Sequence, residues 1–314
     1  MTSQQISVEQ TLTIFPSELQ SEIHTSLITN GFINSQIVQK CLDTMAIEIG
    51  HLMIQLLPTA AAFARVPISG FHVGAVSLGM PPAPPIVGPG SLYLGSNMEF
   101  PGEALSFCIH GEQSATNNAW LHGETGLQAL AINAAPCGYC RQFLYELTTA
   151  TKGFNILLKA NKNPGDYSYT MNPLTYYLPD AFGPHDLGVQ GGLMEPEAHG
   201  LTISGGDQAA QTALVAANSS YSPYTKDYSG IALLGANGII YPGRYAENAA
   251  YNPSMSPMES ALAYMNMNLP SQSPLSITEA VLVEPQSKVS QKSASEDVLA
   301  SVAPGITLGY FTAS

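Results

Sequence analysis

The sequence predicts an α/β protein: a mixed sheet flanked by helices, built twice, behind a small N-terminal helical domain. Three observations predict it. The opening residues carry helical spacing without strand-like alternation. From Thr59 onward, short apolar runs alternate with helix-length segments, the order of a sheet covered by helices on its faces. After a long stretch rich in Pro, Gly, Tyr and Asn, the same order returns, which reads as an internal duplication.

Each element has a local reason. Pro16-Ser17-Glu18 opens a first helix, with Ser17 as a candidate N-cap, and Asn30-Gly31 closes it. A second helix is expected over 35–57, ending at Pro58. Its stripe is Ile37, Val38, Cys41, Met45, Ile49, Leu52 and Leu56, so Cys41 reads as core. A short helix at 60–65 precedes strands at 71–78 and 91–96, joined by a Pro/Gly loop. Then come a helix at 110–122, a strand at 127–133, a helix at 137–149 and a strand at 154–159. Residues 161–206 read as a long ordered connection. The second round has a helix at 208–218 and strands at 231–234 and 239–241 around the turn Ala236-Asn237-Gly238. It continues with a helix at 258–268, a strand at 277–283, a helix at 296–302 and a strand at 306–311. The expected domains are 1–57, 58–165 and 207–314, with a linker at 166–206.

Composition narrows the partners. Of 314 residues, 45% are hydrophobic and only 11% charged, enough to bury sizeable cores. Ten Lys and Arg face 23 Asp and Glu, a formal charge of −13. Such a chain lacks the basic footprint of nucleic-acid binding and repels anionic membranes. A small, uncharged partner fits better. The first residues, MTSQQISVEQ, show neither a basic cluster nor an apolar targeting segment, so a soluble, cytoplasmic protein is expected. Four Cys make no disulfide framework, leaving free thiols or a metal site.

The sharpest motif is His110-Gly111-Glu112 followed by Pro136-Cys137-Gly138-Tyr139-Cys140. It matches the H-x-E…P-C-x-x-C signature of zinc nucleobase deaminases. Each half falls at the expected start of a helix, where partial positive charge favours thiolates. His110, Cys137 and Cys140 make three ligands, the number that leaves zinc a position for water. Glu112 is placed to contact that water. Cys108 is expected to be a buried small side chain, because an extended approach points it away from His110. A Cys-x-x-Cys alone is also a redox pair or a structural zinc knuckle, but neither requires His-x-Glu on a separate helix. His24, His51, His72, His122, His185 and His199 have no motif around them.

Further stretches carry a resemblance. They are Phe71-His72-Val73-Gly74-Ala75, Asn97-Met98-Glu99-Phe100, His110-Gly111-Glu112-Gln113-Ser114-Ala115, Pro136-Cys137-Gly138-Tyr139-Cys140-Arg141-Gln142-Phe143 and Leu178-Pro179-Asp180-Ala181-Phe182-Gly183-Pro184. The chain resembles the long, two-copy, homodimeric cytidine deaminases, which pair a catalytic with a degenerate core domain. That resemblance implies the cytidine deaminase-like three-layer fold and one Zn²⁺ per chain. It implies that Asn97 and Glu99 bind the ribose and that Phe71 packs on the pyrimidine. The backbone of Gly111 and the carbonyl of Ala135 would meet the base, and Phe182 would close a neighbouring subunit's site. Glycine at 111 departs from the alanine commoner in the family. The implied reaction is hydrolysis of cytidine and 2′-deoxycytidine to uridine and 2′-deoxyuridine plus ammonia, in pyrimidine salvage. Two other classes remain at this point: a polynucleotide cytosine deaminase, and a zinc-stapled binding protein without activity.

In the second round, Tyr245-Ala246-Glu247 stands against Asn97-Met98-Glu99. Pro257-Met258-Glu259 is expected against His110-Gly111-Glu112, so the histidine ligand becomes Pro257. No Cys lies between 283 and 296. The second copy therefore lacks all the ligands and is expected to persist as a scaffold.

Overall fold

The computed structural model describes residues 6–314 apart from 162, 164, 271 and 272. Helix signals at the N-terminus act locally. α2 (Ser17–Asn30) ends on Gly31, whose φ of 74° suits a residue without a Cβ. Ser17 is its first helical residue, and Pro16 holds the N-cap position with no side-chain bond. A short α1 (Val8–Leu12), absent from the sequence reading, starts on a capping box between Ser7 and Gln10. The helix expected over 35–57 is two: α3 (Ser35–Met45), capped by Asn34, and α4 (Ile49–Ala61). Ala46 makes the break, in the left-handed region at φ 50°. The apolar stripe runs across the break, so periodicity hides it. Pro58 sits inside α4, and the short helix expected at 60–65 is the end of α4.

Two sheets follow. The first contains β1 (Gly74–Gly79), β2 (Leu92–Ser96), β3 (Leu127–Ile132), β4 (Asn155–Lys159) and β5 (Tyr169–Pro173), in the order β2-β1-β3-β4-β5. β3 and β4 pair in parallel, and its other pairs are antiparallel. The second contains β6 (Gly230–Gly235), β7 (Ile240–Arg244), β8 (Ile277–Pro285) and β9 (Leu308–Ala313), in the order β7-β6-β8-β9 with matching polarity. The duplication read from element order is thus a duplication of topology. β5 and the short α7 (Leu174–Tyr177) arise from the stretch read as a connection. β5 is largely exposed, so it carries no apolar run to announce it.

Alternating side chains separate the layers. On the first sheet, Val76, Ala129, Ala131 and Leu157 meet α4 and the N-terminal helices. Ala75, Leu130, Ile132 and Ile156 face the other way, into a central core shared with the second copy. There α5 (Gly111–Leu121) packs on α9 (Pro257–Met267), with α6 (Gly138–Tyr145) and α10 (Lys292–Val302) beside them. α8 (Gln208–Asn218) covers the far face of the second sheet through Ala209, Ala213 and Ala217 against Ala232 and Val281. Gly95 and Gly243 allow α5 and α9 their close approach: a Cβ on either would lie 2.1–2.2 Å from helix backbone. Among the described residues, no helix is long and apolar enough to cross a membrane.

The backbone pairings fix the register between copies. Met98 bridges Ile109, and Ala246 bridges Met255. His110 caps α5 and Ser256 caps α9, with Gln113 and Glu259 as the matching capping-box partners. His110 therefore corresponds to Ser256, Gly111 to Pro257 and Glu112 to Met258. This corrects the alignment that set Pro257 against His110 and Glu259 against Glu112. Two residues fewer separate the bridged positions in the second copy, and sequence spacing did not place that deletion.

A chain ending at Gly205 should fail to fold, because it exposes the α5 face that α9 covers. Soluble expression with cooperative thermal unfolding would be the contrary result.

Candidate active site

The topology gathers the motifs at one place. β2 and β3 both run antiparallel to β1, so they run parallel to each other on its two sides. Gly74 at the start of β1 pairs with Ser96 at the end of β2, and Ala75 pairs with Ile132 at the end of β3. Residues before β1, after β2 and after β3 therefore meet at a single end of the sheet. α5 and α6 both begin there.

His110 is the N-cap of α5 and Cys137 the N-cap of α6. Cys137 Sγ lies 3.6 Å from His110 Nδ1 and 3.6 Å from Cys140 Sγ. The donor atoms of His110, Cys137 and Cys140 all lie within 4.8 Å of one another. Cys137 Sγ is within hydrogen-bonding distance of Cys140 Sγ. Its hydrogen bond to Cys140 pulls the Cys137 thiol down to about 5, helped by the backbone N–H groups of Cys140 and Tyr139. The same contact, with burial, pushes Cys140 up. A thiolate at a helix start beside a second sulfur and an imidazole suits zinc, and not the oxygen-seeking magnesium or calcium. Among the described residues, no other His, Cys, Asp or Glu joins this group. Glu112, on the first turn of α5, is 3% exposed, and burial raises its carboxyl above the ordinary range.

His110, Cys137 and Glu112 border a cavity of about 330 Å³. It also receives Phe71, Asn97, Glu99, Gly111 and Ala135, the residues singled out from sequence. Phe182 is not brought there within its own chain: its ring is exposed, and its carbonyl accepts from Gln142 Nε2 at 2.8 Å. Cys108 departs from expectation, since it is half-buried and lines the cavity. A larger, mostly apolar cavity of about 440 Å³ beside α4 contains none of the donors.

Asn97 and Glu99 do more than face the cavity. Asn97 Nδ2 donates to Phe71 O at 2.9 Å, and its Oδ1 accepts from Val73 N at 2.9 Å. These bonds hold 71–73 off the ladder and explain why β1 starts later than expected. Glu99 accepts from Ile68 N at 2.8 Å, Ser69 N at 3.0 Å and Ser69 Oγ at 2.5 Å. Ser69 escaped the sequence reading, although a signal existed. Val66-Pro67-Ile68-Ser69 recurs as Ser222-Pro223-Tyr224-Thr225, and Glu247 accepts from Tyr224 N at 2.8 Å and Thr225 N at 3.2 Å. Glycine at 111 also has a packing reason: a Cβ there would lie 2.8 Å from Val73 Cγ1.

Comparison with known proteins agrees with this geometry. Residues 49–154 and 174–296 each match a family model described as the cytidine and deoxycytidylate deaminase zinc-binding region. The chain belongs to the cytidine and deoxycytidylate deaminase family. Within the family, it is 48% identical over 252 residues to a cytidine deaminase of Photorhabdus laumondii, covering 80% of this chain and 79% of that one. It is 38% identical over 313 residues to one of Aliivibrio fischeri, covering 99% of each. A solved cytidine deaminase of Burkholderia pseudomallei is 27% identical and covers 42% of this chain and 98% of its own, with a TM-score of 0.34.

Cys137→Ala should abolish zinc retention, because two remaining donors are too few for a stable site. Elemental analysis after dialysis against a chelator checks this, and stoichiometric zinc in the variant would refute the ligand set.

Proposed function

We propose that this chain hydrolyses free cytidine and 2′-deoxycytidine to uridine and 2′-deoxyuridine, releasing ammonia, within cytoplasmic pyrimidine salvage. The observation that carries the reading is a buried carboxyl, Glu112, beside three zinc-type donors in a cavity that also receives Asn97 and Glu99. Zinc held by His110, Cys137 and Cys140 would supply the Lewis acidity that makes water a nucleophile near neutral pH.

The chain's own residues do the rest. Glu112 accepts the proton of the attacking water and delivers it to ring N3, which makes C4 more electrophilic. Glu112 then takes the proton of the hydroxyl added at C4 and passes it to the amine as the C4–N bond breaks, leaving a C4 carbonyl and the first proton on N3. Burial of Glu112 favours its protonated form and suits it to carry that proton. The N–H of Gly111 and the carbonyl of Ala135 orient the base, and Phe71 covers its face. A carboxylate offers about four acceptor positions. Glu99 uses three of them on Ile68 and Ser69, leaving one for a ribose hydroxyl. Asn97 likewise keeps one donor and one acceptor position beyond its loop bonds. Both side chains are held in advance by the loop they brace.

The acidic charge of −13 favours a free nucleoside over a polynucleotide. Phe182, exposed and outside its own cavity, supports a homodimer in which it closes the partner's site. Ultraviolet loss of cytidine on adding purified zinc-loaded protein tests the reading, with single-stranded DNA as the competing substrate. Conversion of the DNA alone would overturn it.

Glu112→Gln should keep zinc and lose roughly 10²–10⁴-fold in turnover. Normal turnover in the zinc-loaded variant would remove Glu112 from the mechanism. Glu99→Ala should lower kcat/KM for cytidine by on the order of a few kcal/mol, since it strips both a sugar partner and the Ser69 brace. Steady-state kinetics decide, and unchanged handling of cytidine would end the ribose assignment.

A further inference from the structure

The second copy touches the zinc-binding helix at named points. α6 is only eight residues long, yet it carries Cys140 and begins at Cys137. A helix so short has little stability of its own and depends on what it packs against. At its C-terminal end, Glu146 is 1% exposed. Its carboxylate accepts from Tyr221 OH at 2.8 Å, from Ala249 N at 2.9 Å and from Tyr224 OH. All of these donors belong to the second copy. One turn earlier, Gln142 O accepts from Asn248 Nδ2 at 2.9 Å, and Gln142 Nε2 donates to Asn248 Oδ1 at 3.4 Å.

The donors come from particular segments. Tyr221 bridges Ala246 as Arg65 bridges Met98, so 221–225 is the counterpart of 65–69. Glu247 still braces Tyr224 and Thr225 as Glu99 braces Ile68 and Ser69. In the first copy these segments border the cavity. In the second copy they point at α6 of the first.

We propose that the former sugar-side loops of the second copy form a clamp on α6, with Glu146 and Asn248 as positioning residues that hold the two cysteines against His110. The clamp rests on the zinc deaminase reading but acts through geometry alone. A buried carboxylate is tolerated only where its acceptor positions are filled, so Glu146 fixes both tyrosines and Ala249 together. Loosening that end frees α6 to tilt, and two of the three donors move with it.

The test measures zinc release from full-length, zinc-loaded protein to a colorimetric chelator, alongside hydrogen exchange of the α6 amides. Glu146→Gln, Tyr224→Phe and Asn248→Ala are compared with Leu299→Ala, a buried substitution in α10 away from the clamp. The clamp predicts at least tenfold faster zinc release and faster α6 exchange in Glu146→Gln, and a smaller acceleration in the two milder variants. It predicts that kcat falls more than KM rises. Leu299→Ala should lower the thermal midpoint yet release zinc at the wild-type rate. Should Glu146→Gln not fold, Tyr224→Phe and Asn248→Ala decide. Wild-type release rates in the clamp variants, or release that merely follows thermal midpoint across all variants, would overturn the clamp. If wild-type protein holds zinc but leaves cytidine intact, the catalytic reading fails, and the release rates still judge the clamp.

Discussion

Two helices must begin within bonding distance of one point in space. α5 contributes His110 and α6 contributes Cys137, which meet at 3.6 Å. Sequence separates those residues by a whole strand, and neither helix reaches the other without the sheet between them. The antiparallel placement of β1 between β2 and β3 satisfies the constraint, because it sends both helices off the same sheet end. The loop at 68–73 closes the same end, braced by Asn97 and Glu99. The residues proposed to bind substrate, carry the proton and hold metal thus gather at one sheet end by topology, before any side chain is adjusted.

The second copy shows what happens when that geometry persists without its chemistry. Its strands repeat the order and polarity of the first sheet's leading four. The equivalents of Glu112 and Asn97, Met258 and Tyr245, are buried. Asp227 stands where Phe71 stands; it is fully buried, and burial pushes its carboxyl up to about 7. Buried side chains thus stand at these positions of the second copy. The retained surface is then free for another use, and its contacts with Gln142 and Glu146 give it one.

Much of this was legible in sequence because the decisive signals are local. His-x-Glu and Cys-x-x-Cys each sit within a turn of a helix start, and the apolar strands stand out as runs buried on both faces. What escaped depends on tertiary partners. Ala46 turns left-handed with no glycine to mark it. β5 is an exposed edge that only pairing with β4 defines. Ser69 matters through a carboxylate thirty residues away, and its recurrence as Thr225 is visible only once the register is known. Register failed for the same reason in the second copy, where a deletion between paired backbones shifted Glu259 away from the position of Glu112.

One working site in a duplicated chain is the claim on which the rest stands. Counting zinc per chain in the purified full-length protein tests it most directly, by elemental analysis against an independently measured protein concentration. The account predicts one zinc per chain, and two per chain, or none after zinc loading, would contradict it.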